Sequence, residues 1–346
     1  METTRKNGRV VFVELPLALP TEHPGLFVQA LQTALAQHED VLRLFVYLFP
    51  FQDLSTSLSL EEVEHALAKA YQLCLESSAP TLAEVEVNVL PPRSLCPQPA
   101  SSNLQPLETI PDLDTFVTFR TDDNWTETLN ERRGEKGLSV LSVQHLDLVT
   151  LWKEEASKNG TEDTPPSFVD PSSTEKILSP GWKVYQKTCL GGTFDRLHAG
   201  HKLMLTIAIL STSRTMILGI TGAVMLKNKK YGDIIQPYAL RAENTLYFCN
   251  SISPFVHYNA VELHDGYGPT TDDTELEAVI VSAETKAGAF AMNNKRQENN
   301  VAPLDIIVIG LIPSSSDTAA EKLSSTALRE KEALMKKTAA ETKQQC

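Results

Sequence analysis

The sequence predicts an α/β protein. An N-terminal α/β domain spans residues 1–150 and a flexible linker spans 151–180. Residues 181–346 form a doubly wound parallel sheet that ends in a C-terminal helix. Three observations predict this. Apolar, β-branched runs of strand length alternate with helix-spaced segments along most of the chain. Residues 154–180 are rich in Ser, Thr, Pro, Glu and Asp, the composition of a linker. The length, 346 residues, suits two ordinary domains of about 100–150 residues each.

The elements follow in order. Residues 9–15 (Arg-Val-Val-Phe-Val-Glu-Leu) are β-branched and apolar and read as a strand. Leu26, Leu31, Leu35 and Ala36 give 24–37 helical spacing, and 41–48 is a second apolar strand. Ser59, then Glu61 and Glu62, open a helix that runs to Leu75. Val63, Ala66, Leu67, Ala70 and Leu73 line one face of it. Residues 85–90 and 116–119 read as strands, and the proline-rich stretch 91–112 between them as a loop. His23, His38, His65 and His145 are isolated, so this half shows no catalytic grouping. No internal repeat is visible.

In the second half, 184–190 is a strand that runs directly into Gly191-Gly192-Thr193-Phe194-Asp195. Helices are expected at 199–211, 237–248, 287–298 and 317–343. Strands are expected at 215–220, 256–263, 278–281 and 305–312.

Composition narrows the function classes. Hydrophobic residues at 42% and charged residues at 22% exclude a wholly disordered, collagen-like or coiled-coil chain. No apolar run is long enough for a membrane span. The first residues lack a signal peptide's apolar run, and Glu2 and Glu14 speak against an Arg-rich transit peptide. The five cysteines are scattered with no CxxC pair. That argues against a disulfide scaffold or Cys-based zinc site and fits a reducing, cytoplasmic setting. Asn124-Trp-Thr and Asn159-Gly-Thr match the glycosylation pattern by chance on this reading. The net charge of −13 is uneven: residues 1–180 carry 13 Lys+Arg against 27 Asp+Glu, and 181–346 carry 18 against 17. The acidic half excludes a broad nucleic-acid surface, which needs clustered Lys and Arg.

The segment that carries chemistry is Gly191-Gly192-Thr193-Phe194-Asp195-Arg196-Leu197-His198-Ala199-Gly200-His201-Lys202. It joins a strand to a helix, where open α/β sheets bind ligands. Glycines let backbone N–H groups approach a ligand, and a helix start favours phosphate. His198 and His201, three apart on the first helical turn, both face that space. The spacing is neither a Walker A loop nor a GxGxxG fingerprint. No further Cys or His cluster lies nearby, so no metal site is expected. Taken alone, the segment also fits a tight turn with two capping histidines.

Gly-Gly-Thr-Phe-Asp followed by His-x-Gly-His resembles the signature of the nucleotidyltransferase α/β superfamily, with a Rossmann-like sheet. The whole string is similar to the archaeal and eukaryotic phosphopantetheine adenylyltransferases, including the adenylyltransferase part of bifunctional coenzyme A synthase. The resemblance covers about 184–330, and further segments agree in order. These are Gly219-Ile220-Thr221, Met225-Leu226-Lys227, Gln236-Pro237-Tyr238 with Arg241, Asp265-Gly266-Tyr267-Gly268-Pro269, Val281-Ser282-Ala283-Glu284-Thr285, Asn293 with Arg296, and Ser324-Ser325-Thr326 with Arg329. Asp265-Gly266 stands where the family has Asp-Pro.

The resemblance implies transfer of the adenylyl group of ATP to 4′-phosphopantetheine, giving dephospho-coenzyme A and pyrophosphate in coenzyme A biosynthesis. In-line attack by the acceptor phosphate needs no enzyme nucleophile. It implies Thr193, His201 and Lys227 as catalytic residues, with Lys229 the alternative lysine. ATP contacts fall to Gly191, Gly192, Phe194, His198, Gly200, Ser324, Ser325, Thr326 and Arg329. Substrate contacts fall to Asp195, Lys229, Arg241, Ser282, Glu284, Thr285 and Arg296. Mg²⁺ is expected to arrive with ATP. No GxxxxGK[ST] loop is present, so a monofunctional enzyme and a separate dephospho-coenzyme A kinase are expected. A homo-oligomer stays open. So do two other readings: another nucleotidyltransferase (for a cytidylyl or nicotinamide-nucleotide reaction), and a scaffold of this fold that no longer catalyses.

Overall fold

The computed structural model describes residues 8–38, 40–49, 58–77, 85–97, 106–119, 123–159, 182–227, 229–310, 312, 325–330 and 332–334. The chain divides into two compact units, Met1–Trp182 and Lys183–Cys346.

In the first unit the strands are β1 (Arg9–Pro16), β2 (Val41–Phe49), β3 (Glu86–Leu90), β4 (Thr115–Thr118) and β5 (Ser142–His145). The helices are α1 (Pro24–Leu35), α2 (Leu60–Glu76), α3 (Asp123–Glu135) and α4 (Leu148–Asn159). The sheet is parallel, in the order β3-β2-β1-β4-β5. β1 is central and its apolar run is buried from Val10 to Pro16, as a strand covered on both faces must be. Phe12 meets Phe45, Tyr47 and Phe116 at ring-centroid distances of 6.3, 5.9 and 5.9 Å. α2 starts where the sequence expects, through a capping box: Glu62 N donates to Ser59 Oγ and Ser59 N to Glu62 Oε2.

The sequence reading lacks α3, β5 and the start of α4, and the structure corrects the expected linker. Residues 151–159 belong to α4, not to a linker, because Leu151 and Trp152 bury their side chains and α4 packs on α1. Residues 160–181 lie outside the described residues.

In the second unit the strands are β6 (Tyr185–Gly192), β7 (Thr212–Thr221), β8 (His257–Leu263), β9 (Ala278–Ser282) and β10 (Asp305–Ile309). The helices are α5 (Ala199–Leu210), α6 (Tyr238–Ile252) and α7 (Lys286–Glu298). Residues 325–330 and 332–334 are also helical. The sheet is parallel, in the order β10-β9-β6-β7-β8. Its core includes Cys189, Ile217, Leu276, Val279, Val281 and Leu304. Counted from its own first strand, this sheet has the strand order of the first. The two units therefore share a topology that no visible sequence repeat announces. The order places the carboxyl end of the central β6, with Gly191 and Gly192, at the switch point where connections leave in opposite directions.

Candidate active site

β6 ends on Gly191 and Gly192, and the loop 193–198 delivers the chain to α5. Phe194 and Arg196 both take φ of 50°, a costly backbone for side-chain-bearing residues that the surrounding contacts must hold. The Phe194 ring is buried and lies under Gly192, where a Cβ would stand 3.0 Å from it. Phe194, expected at ATP, packs beneath the loop and beside the His201 ring, 5.3 Å away between centroids.

His198 stands just before α5 without a capping hydrogen bond from its side chain, and His201 lies in the first turn. Their rings stack at 3.9 Å between centroids. Gly200 permits this, since a Cβ there would stand 3.2 Å from His198 Cε1. Burial pushes His198 down to about 4, with Lys202 adding to the effect. Burial, then His198 and Lys229, hold His201 well below the ordinary histidine range. Both rings are therefore neutral at pH 7, and each has one N–H to donate. Both Nδ1 atoms are buried and make no hydrogen bond within the protein.

Thr193 receives the lysine contact. Lys229 Nζ donates to Thr193 Oγ1 at 2.6 Å. Lys227, expected in this role, follows the short helix Ala223–Leu226 and makes no such bond, although both lysines are exposed overall. The lysine beside Thr193 is thus Lys229. Burial lowers its pKa, then Arg329 and Arg241, against the pull of Asp195.

Three residues expected at substrate are internal. Asp195 is fully buried and accepts from Arg196 Nη1, Gln236 N (3.0 Å) and Arg329 Nη1 (2.8 Å). Arg241 donates to the carbonyls of Gln236, Thr193 and Thr221 at 2.6–2.9 Å. Arg296 is 0% exposed and donates to the carbonyls of Ala302, Thr270, Asp273 and Leu276. Arg241 and Asp195 shape the loop around Thr193. Arg296 closes the β8–β9 connection and has no surface to offer a ligand.

Arg329, expected at ATP, is also nearly fully buried. It bonds Asp195 and Thr326 Oγ1 (3.0 Å), and so ties the helical residues 325–330 to the Thr193 loop. Ser325 and Thr326 are helical and only partly exposed; Ser324 lies outside the described residues. Ser282, Glu284 and Thr285 follow the carboxyl end of β9, beside β6, where Ser282 N donates to Thr285 Oγ1. The sequence reading missed the latch partners Glu332, which binds Arg196, and Glu330, which accepts from Lys230 and Tyr231. Their one signal is helical spacing: Arg329 and Glu332 are three apart on one face.

The structure thus gathers the Thr193 hydroxyl, an ammonium, two neutral imidazoles and a helix start at one strand end. These are donors suited to phosphate oxygens. Among the described residues, no group of three or more His, Cys, Asp or Glu is placed to hold a metal. No described helix is long and apolar enough to cross a membrane.

Residues 189–331 match a family model described as cytidylyltransferase-like. A Saccharomyces cerevisiae protein named phosphopantetheine adenylyltransferase is 39% identical over 146 residues, 42% of this chain and 48% of the relative. A Thermococcus kodakarensis protein of the same name is 37% identical over 42% of this chain and 86% of the relative. The match therefore spans about half the length of the yeast protein and most of the archaeal one. A crystal structure of an Archaeoglobus fulgidus protein of unknown function is 31% identical over 36% of this chain and 88% of that one, with a TM-score of 0.31. Through its second unit, the chain belongs to the phosphopantetheine adenylyltransferase family of nucleotidyltransferases.

Proposed function

We propose that the second unit transfers the adenylyl group of ATP to 4′-phosphopantetheine. The observation that carries this is the Lys229–Thr193 bond beside the stacked neutral histidines at the mouth of β6. A phosphate oxygen of the acceptor attacks the α-phosphorus of ATP. The bond to the bridging oxygen breaks, and pyrophosphate leaves with the electron pair. Reactants and products are anionic, so positioning and charge neutralisation dominate, and no enzyme nucleophile is needed.

In this reading Thr193 and Lys229 hold the acceptor phosphate in line. The ring N–H of His201 donates to the α-phosphate as charge builds there, and that of His198 to the ATP phosphates. The Ser325 and Thr326 hydroxyls hold the leaving pyrophosphate, with Arg329 and Asp195 keeping their helix against the loop. Mg²⁺ enters with the nucleotide. Ser282, Glu284 and Thr285 line the approach for the pantetheine arm. The reaction fits a reducing cytosol, and a separate kinase then phosphorylates the product's ribose.

His201→Ala tests the reading. Steady-state transfer should fall by about 100-fold or more, the usual loss when one preorganised donor to a charged transition state is removed. An unchanged rate in a folded variant overturns the assignment.

A further inference from the structure

The first unit repeats the second in detail, not only in topology. Arg133 is 0% exposed, like Arg296. It donates to the carbonyls of Ser139, Leu107, Ile110 and Leu113. Arg296 donates to those of Ala302, Thr270, Asp273 and Leu276. Asn130 exchanges two hydrogen bonds with Leu141, and Asn293 exchanges the same two with Leu304. Each member of the first set precedes its counterpart in the second by one constant interval, as 133 precedes 296 and 107 precedes 270. A doubly wound sheet does not require this clamp, so shared topology alone does not account for it.

Register then aligns the site positions. Val11 pairs with Thr115 as Thr188 pairs with Ala278. That sets Glu14, Leu15 and Pro16 against Gly191, Gly192 and Thr193. α1 and α5 each have 12 residues and a histidine N-cap, His23 and His198. His-Pro-Gly-Leu (23–26) stands against His-Ala-Gly-His (198–201). The first copy thus keeps one histidine and the glycine, and lacks the threonine hydroxyl and the second histidine.

Its helix start is also occupied. Glu155 of α4 reaches over α1, so close that a Cβ on Gly25 would stand 2.3 Å from its Oε1. Glu155 Oε2 is buried without a hydrogen-bond partner. Burial raises the Glu155 pKa, with His23 and Lys158 opposing. Trp152 of α4 packs on the His23 ring at 4.3 Å between centroids. A carboxylate therefore sits where, in the second unit, the proposed reading puts nucleotide phosphate.

We infer that the first unit is a second copy of the nucleotidyltransferase unit that has lost its catalytic set and whose nucleotide site is closed by its own Glu155 and Trp152, so that the chain takes one ATP, in the second unit only. This rests on the proposed function of the second unit. The test is a titration of the full chain with Mg²⁺ and α,β-methylene-ATP, for wild type and for a His198→Ala, Ser325→Ala double variant at two positions the proposed function gives to the nucleotide phosphates. Peptide mapping after photolabelling with 8-azido-ATP accompanies it. One equivalent per chain in the wild type, a tenfold or greater loss of affinity in the variant, and label confined to residues 183–334 are expected. Two equivalents, or label within residues 9–159, would overturn this inference alone; a single equivalent that survives the double variant with its label in residues 183–334 would overturn the ATP contacts proposed for the second unit. No binding at all would overturn the reading of the second unit, and this inference with it.

Discussion

His198 and His201 are held neutral by burial beside each other, and this sets a pH signature. Unfolded, each titrates near 6.5; folded, His198 titrates at about 4 and His201 also far below 6.5. Between those values the unfolded chain binds protons that the native state does not, so stability rises with pH across the window. Urea unfolding of the second unit should show a midpoint that falls as pH drops from about 6.5 toward 4. A midpoint unchanged over that range would contradict the histidine environment. The lysine assignment has its own test. Lys229→Met should lower kcat/KM by at least about tenfold more than Lys227→Met, because only Lys229 reaches Thr193. Equal losses in initial-rate kinetics would contradict it. The GGTFD…HAGH string was legible as a phosphate-binding turn because its residue types announce donors. Asp195, Arg241 and Arg296 carried the same signal, and the structure places their charged groups on buried partners within the protein. A charged side chain in a motif looks the same in sequence whether it meets a substrate or satisfies buried carbonyls, and only burial separates the two.

At the scale of elements, local signals decided what the sequence revealed. β1, β2 and β7 carry apolar runs, and α2 carries a capping box and an apolar face, so their interactions are written in neighbouring residues. β5 has only four residues, none of them buried, and α3 has almost no apolar periodicity. These two are fixed by tertiary contacts, above all the Arg133 and Asn130 clamp on the loops around them. Arg133→Met and Arg296→Met should each destabilise their own unit by roughly 3 kcal/mol or more, since several buried carbonyls lose their donor. Chemical denaturation of each variant measures this. A loss of under about 1 kcal/mol at either position would contradict the clamp.

At the scale of the molecule, one fold occurs twice on a chain whose charge is lopsided. The acidic first unit, with 27 Asp+Glu against 13 Lys+Arg through residue 180, suits polyphosphate poorly. The second unit is nearly neutral and places Arg196, Lys227, Lys229 and Lys230 on the segments that follow β6 and β7. The duplication was invisible in sequence because strand order and hydrogen-bond pattern survive substitutions that erase identity, as in the change from Gly-Gly-Thr to Glu-Leu-Pro. The central claim is that the second unit's donors serve adenylyl transfer to a phosphorylated pantetheine. It is tested most directly by incubating the full chain with each nucleoside triphosphate and each candidate acceptor and identifying products by mass. The account predicts dephospho-coenzyme A and pyrophosphate in equal amounts from ATP and 4′-phosphopantetheine. Transfer only from CTP, transfer only to nicotinamide mononucleotide, or no transfer to any acceptor would contradict it.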